Sequence, residues 1–143
     1  MRAITMTRSL ADAQHEAAHA VVGIALGLRL DRITLDLPGE IGTEAALTIW
    51  HGTPWHHEAV AMMFAAGVAW ERRCGDLSKA SFDLADLRRL HVTGKRLTAC
   101  ERAAWAVLSE RHALHTRIVR ALVERDLTAA DVRAVAHTPT IRK

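Results

Sequence analysis

The sequence predicts a mostly α domain with a small β-sheet inserted after its first helix (α+β), and three observations carry that prediction. Ala, Leu, Arg and Val dominate, while glycine (8) and proline (3) are sparse among 143 residues, a balance that favours helix over sheet. Apolar residues recur at helical spacing along most of the chain, whereas residues 31–50 alternate apolar and polar side chains, as half-buried strands do. No repeat, linker or low-complexity segment interrupts the pattern, so the whole of 1–143 reads as one domain, long enough to bury a proper core.

Taken in order, Ser9 is an N-cap with Asp12 three residues on, starting a first helix that runs to about Leu28. In "DRITLDLPGE", Ile33, Leu35 and Leu37 fall on one side and Thr34 and Asp36 on the other, a strand ended by Pro38-Gly39. "TEAALTIW" predicts a second strand. Helical spacing resumes from about Trp55 to Arg73, and Gly75 closes it. Ser81 is placed to cap a helix over "FDLADLRRLHV" that stops near Gly94. Thr98 and Glu101 form a T-x-x-E box for a long helix to about Arg125, broken once near His112. Thr128 with Asp131 starts a short final helix, and residues 137–143 read as a loose tail.

Composition narrows the function. The net charge is +3 and the pI about 9.4, but the basic residues are interleaved with acids and form no run, which argues against nucleic acid as the partner. The longest apolar runs, Ala20–Leu28 and Ala59–Trp70, are too short to span a bilayer. The first residues lack the apolar core of a signal peptide, and Cys74 and Cys100 sit in no close-spaced pair. The expectation is a cytoplasmic protein with reduced thiols.

The strongest local signal is "HEAAH" in the first helix. Four residues apart on a helix, His15 and His19 differ by about 40° in direction and about 6 Å in height, so both imidazoles reach one ion. That spacing suits tetrahedral zinc. Glu16 points beside such an ion rather than at it, where a general base for a water must sit. Chance produces H-E-x-x-H in roughly a few per cent of chains this rich in His and Glu; a capped, otherwise apolar helix makes chance the weaker reading.

A third ligand is needed. Position 25 is alanine, which excludes the metzincin continuation. On the helix after Ser81, with Asp83 at zero, Leu87 lies at about 40°, Leu84 at about 100° and Leu90 at about 340°, so Asp83 falls inside the apolar arc, whereas Asp86, at about 300°, lies at its margin. A carboxylate inside a buried stripe is costly unless paired or bound to metal, which favours Asp83, though a first-turn acid also suits the helix dipole. Asp86 and Glu71 are the competing carboxylates, Glu71 being placed either to pair with a neighbouring Arg or to support the site from behind. His51, His56 and His57 read as rim residues of a turn, His112 and His115 lack a completing ligand, and Trp50 and Trp55 read as packing beside the sheet.

These residues resemble the zinc peptidase domain of the FtsH-type membrane proteases. "HEAAHAVVGIALG" is similar to that family's H-E-x-G-H-A helix, with Ala18 in place of glycine. "LDRITLDLPGEIG" is similar to the strand that follows it, and "FAAGVAWERRCG" to its G-R-A-A-E-E segment, with Gly67 and Glu71 matching and Val68 replacing arginine. "ASFDLADL" resembles A-S-N-D-(I/L)-x-x-A, and "AWAVLSERHALHTRIVRALVERDLTAADV" the C-terminal helices. The likeness runs over about residues 9–135. It implies an FtsH-like peptidase fold, zinc held by His15, His19 and Asp83, and Glu16 as the base. An alignment of Asp86 with the family's aspartate is the alternative register.

The family fuses this domain to an AAA+ ATPase and membrane helices. Here no G-x-x-x-x-G-K-[ST] occurs, since "HVTGKRLT" lacks the first glycine and carries Arg96 after the lysine. The expectation is therefore a stand-alone zinc metallopeptidase acting on peptides or unfolded segments, with a separate ATPase or regulator as a possible partner. The alternatives are an inactive metal-binding or regulatory module of the same fold, which Glu16 argues against, and a basic helical nucleic-acid-binding domain.

Overall fold

A computed structural model of the protein describes residues 9–35, 43–45 and 54–137. The chain order is α1 (Leu10–Ala25), β1 (Leu30–Ile33), β2 (Thr43–Ala45), α2 (Pro54–Cys74), a 3₁₀ turn (Leu77–Ala80), α3 (Ser81–Arg89), α4 (Gly94–Glu110), α5 (His112–Leu122), β3 (Leu127–Thr128) and α6 (Ala129–Ala136). The architecture is mostly helical with a small antiparallel sheet of order β2-β1-β3.

Helix α1 starts where Ser9, extended at φ −63° and ψ 123°, accepts the Asp12 N–H on its Oγ at 3.2 Å. It ends at Ala25, three residues before the predicted Leu28. Gly27 at φ +77° closes a Schellman motif, its own N–H reaching the Ile24 carbonyl while the Leu28 N–H reaches that of Gly23. Ala13, Ala17, Ala18, Ala20, Val21 and Val22 are fully buried. Small side chains on both sides let α1 lie close against Ala61, Ala65, Ala66 and Val68 of α2, and α1 forms the centre of one core that extends to Val132 of α6.

The sheet departs from simple alternation. The register shifts between Leu30 and Arg32, so Leu30 and Ile33, an odd number of residues apart, both reach the core. Thr34, expected on the polar side, is buried: its Oγ1 donates to Asp126 Oδ2 at 2.7 Å, and the Leu35 N–H donates to Asp126 Oδ1. Asp126 thus takes the place of a ladder partner and ends the strand at Ile33. Leu37 and the Pro38-Gly39 stop lie outside the described residues, as does "TEAALTIW" beyond Ala45. β3, unanticipated, pairs Ile33 with Leu127.

Two predicted caps fall elsewhere. Ser81 is the first residue of α3 rather than its N-cap, because the 3₁₀ turn, itself capped by Asp76 on the Ser78 N–H, leads directly into the helix. α3 stops at Arg89, where His91 takes φ 61° and the Val92 N–H bonds the Leu87 carbonyl at 2.8 Å. Gly94 consequently opens α4 instead of ending α3, with Thr93 as N-cap. Thr98 lies inside α4 and donates back to the Gly94 carbonyl, while Glu101 is drawn away by Arg72, whose Nε and Nη2 donate to it at 2.6 and 3.1 Å. The break expected near His112 falls at Arg111, and the Thr128–Asp131 box at α6 forms with both reciprocal bonds. Among the described residues no helix is long and apolar enough to cross a membrane.

Candidate metal centre

Three elements meet at one buried point. α1 supplies His15 and His19, α2 passes with Gly67 and Glu71, and the first turn of α3 supplies Asp83. His15 is 7% exposed, His19 0% and Asp83 2%, so these polar groups need partners or an ion. Their ligand atoms converge: His15 Nε2 lies 2.9 Å and His19 Nε2 3.2 Å from Asp83 Oδ2, and the two Nε2 atoms are 3.1 Å apart. Among the described residues this is the group of His, Cys, Asp and Glu side chains that could hold a metal ion.

The far sides of both rings fix their tautomers. His19 Nδ1 is 2.6 Å from the Met63 carbonyl, which can only accept, so Nδ1 carries a proton. His15 Nδ1 is 2.7 Å from Glu71 Oε2 and donates to it in the same way. In its neutral form each ring would turn its Nε2 lone pair inward, the arrangement found behind metal-ligating histidines. Glu71 pairs with none of the arginines beside it: its other oxygen, Oε1, accepts the Asp76 N–H at 3.2 Å. One carboxylate thus joins the ring of His15 to the turn that leads into α3.

The donor set suits a cation. Asp83 Oδ2 is buried and receives a well-directed hydrogen bond from neither imidazole, despite the short distances. Zinc with bonds of about 2.0–2.1 Å in tetrahedral geometry sets its ligand atoms roughly 3.3 Å apart, and the three distances here are 2.9, 3.1 and 3.2 Å. The residues fit the ion. Burial alone would drive the His19 pKa down, but the Asp83 carboxylate against it outweighs this and holds it up at about 9. Burial likewise pushes Asp83 up, and His19 and His15 together bring it down to about 2. A positive charge is therefore favoured at this point, whether a proton or a metal supplies it.

Gly67 makes the convergence possible. A Cβ there would fall 2.6 Å from His19 Nε2 and still closer to Asp83 Oδ2, so a side chain at position 67 would occupy the space between the ligands. Sequence reasoning reached Gly67 only through family resemblance; nothing in its local context marks a close approach between α1, α2 and α3.

The remaining candidates lie apart. Asp86 points to the surface and accepts from Arg89 Nη1 at 2.6 Å, away from the histidines. Glu16 is half-buried beside His15, close enough for its charge to raise the His19 pKa. His112 is exposed, whereas His115 is buried with Nε2 donating to the Gln14 carbonyl at 3.0 Å, so the two share no ion. His57 is exposed; Trp50 and His51 lie outside the described residues, as do the side chains of Trp55 and His56.

No family model matches the sequence, and no curated protein matches it.

Proposed function

We propose that this chain is a zinc-dependent peptidase domain of the FtsH type, with His15, His19 and Asp83 holding the ion and Glu16 as general base. The observation that carries the reading is the convergence of two Nε2 atoms and a buried carboxylate oxygen that lacks a hydrogen bond of its own. Bound to these three ligands, zinc would supply a Lewis acid with one position open to water and to a carbonyl oxygen.

The rest of the reaction belongs to the protein's own groups. Glu16, one residue from His15, takes a proton from the attacking water and returns it to the leaving amine. Pure metal storage has no use for that carboxylate, so its presence favours hydrolysis over a binding module. Glu71 and the Met63 carbonyl hold the two imidazoles in the tautomer that leaves Nε2 free. β2 is an edge strand of the described sheet, and an extended peptide would add to it by main-chain pairing. The substrates on this reading are peptides and unfolded segments in the cytoplasm. Folded substrates would need a separate ATPase to open them.

The test is Glu16→Gln, assayed for zinc by elemental analysis and for cleavage of an unfolded peptide library. The variant should keep one zinc per chain and lose turnover by at least about 100-fold. Turnover equal to the parent removes Glu16 as base, and zinc-free protein in both forms overturns the reading altogether.

A further inference from the structure

His115 of α5 is a buried polar side chain that contributes no atom to the metal centre. It is 4% exposed, and the other inward residues of α5, Leu114, Ile118, Val119 and Leu122, are all apolar. A leucine at position 115 would complete that face without the cost of burying an imidazole. The other buried polar groups outside the ligand set, among the described residues, have evident partners: Thr34 bonds Asp126, Glu101 bonds Arg72, and Glu71 joins His15 to the turn before α3. His115 reaches a main-chain atom instead, with Nε2 3.0 Å from the Gln14 carbonyl.

A carbonyl only accepts, so Nε2 carries the proton. Inside α1 that carbonyl already serves the N–H of Ala18, four residues on, in the ordinary helical ladder. It needs no second donor to be satisfied. What the bond adds is a fastening of α1 to α5 at the residue just before His15. Such a fastening has a use here, because α1 meets α2 through small side chains (Ala17, Ala18, Ala61, Ala65), which make shallow ridges with little grip along the helix axis. A metal site needs its ligand atoms held to within about 0.5 Å.

The ring that makes the bond is itself held. The Trp70 ring of α2 lies against it, with centroids 4.4 Å apart and planes inclined at 33°. Trp70 directly precedes Glu71, whose Oε2 takes the Nδ1–H of His15 at 2.7 Å. One pair of touching rings therefore leads to His15 by two routes, through the backbone at Gln14 and through the carboxylate of Glu71.

We propose that His115 is a positioning residue of the metal centre: steadied by the Trp70 ring, it pins the Gln14 carbonyl and so fixes where Nε2 of His15 stands relative to His19 and Asp83, a role that rests on the zinc reading of that centre.

The test compares His115→Leu, which fills the space without a donor, with His115→Gln, whose amide can place an N–H near the position of Nε2. Ile118→Val, on the same face of α5, is the control for lost packing alone. Three quantities are read: zinc affinity by chelator competition, the visible absorption of the cobalt-loaded protein, and the His15 Nδ1–H resonance of the metal-free protein by nitrogen-15 NMR. His115→Leu should weaken zinc about fivefold, alter the cobalt absorption and shift the His15 resonance. His115→Gln should recover most of each, and Ile118→Val should match the parent in all three. Trp70→Leu, which removes the ring that steadies His115, should move the same quantities in the same direction, so the outcome does not depend on a single variant folding. Parent-like zinc affinity and an unmoved His15 resonance in His115→Leu, no recovery in His115→Gln, or equal losses in Ile118→Val overturn the positioning role. A parent that binds neither zinc nor cobalt defeats the zinc reading and the positioning role with it, whereas a parent that binds zinc and a His115→Leu that binds it equally well defeat the positioning role alone.

Discussion

Gly67→Ala sets two effects of opposite sign against each other. Position 67 lies inside α2, where alanine is favoured over glycine by about 1 kcal/mol on helix propensity alone. The added Cβ, however, would sit 2.6 Å from His19 Nε2, well inside the 3.4 Å at which ordinary contact begins. His19 cannot simply retreat, because Nδ1 is held by the Met63 carbonyl at 2.6 Å and the ring is fully buried. Overpacking of this kind costs about 1–3 kcal/mol, so the metal-free variant should melt a few degrees below the parent. The larger effect is on the ion. With zinc at a hundredfold excess over its Kd the parent should gain about 2.7 kcal/mol, on the order of 10 °C in Tm. A variant that binds zinc a hundredfold more weakly would gain about 0.4 kcal/mol under the same conditions, roughly 1–2 °C. Thermal melts of both proteins with and without zinc, each after chelation and dialysis, give all four numbers. A variant that melts higher than the parent and keeps its full zinc response would refute the account of Gly67 as the space between ligands.

Asp83→Ala should reduce zinc affinity by at least about a hundredfold, whereas Asp86→Ala, which breaks a surface pair with Arg89, should leave it within about twofold; a competition titration against a chelating dye ranks them, and the reverse order moves the ligand to position 86. Glu71→Gln should weaken zinc about 10–100-fold without removing a ligand atom, because the amide no longer holds the Nδ1–H of His15 as a carboxylate does. His115 has its pKa lowered by burial. The unfolded chain therefore binds the proton more readily, and the contribution is complete above the ordinary value of 6.5 and lost as pH falls from there through the depressed folded value. Stability measured by urea unfolding from pH 7.5 to 5.5 should fall less in His115→Gln than in the parent, and parallel curves would show that His115 carries no such linkage.

Much of the helical frame was legible because its signals are local. The Ser9 cap and the Thr128–Asp131 box each need residues three apart and nothing else, and both form. Other boundaries depended on partners far away in sequence. Glu101 looks like the end of a capping box, yet Arg72 claims it from another helix, and a histidine rather than a glycine adopts the positive φ that ends α3. The strand pattern failed at Thr34 for a similar reason, since Asp126, distant in sequence, turned an apparently solvent-facing residue inward. At the site, helical geometry favoured Asp83 over Asp86 from the apolar arc alone, and the structure puts Asp83 against the histidines. The roles of Met63, whose backbone carbonyl rather than its side chain acts, and of Gly67, which acts by lacking a side chain, leave no mark in composition or periodicity.

The bond from Glu71 to the Asp76 N–H has a mechanical consequence. Through it the same carboxylate that braces His15 also anchors the entrance to α3, the helix that bears Asp83. His15 and the helix that bears Asp83 are thereby fastened to one another behind the point where the side chains converge, as two legs of a tripod are fastened by a collar. On the proposed metal reading, release of an ion from such a mount would wait on the breathing of the surrounding helices. The rate at which a chelator strips the metal would then level off as chelator concentration rises, and its ceiling would be the rate at which the collar opens.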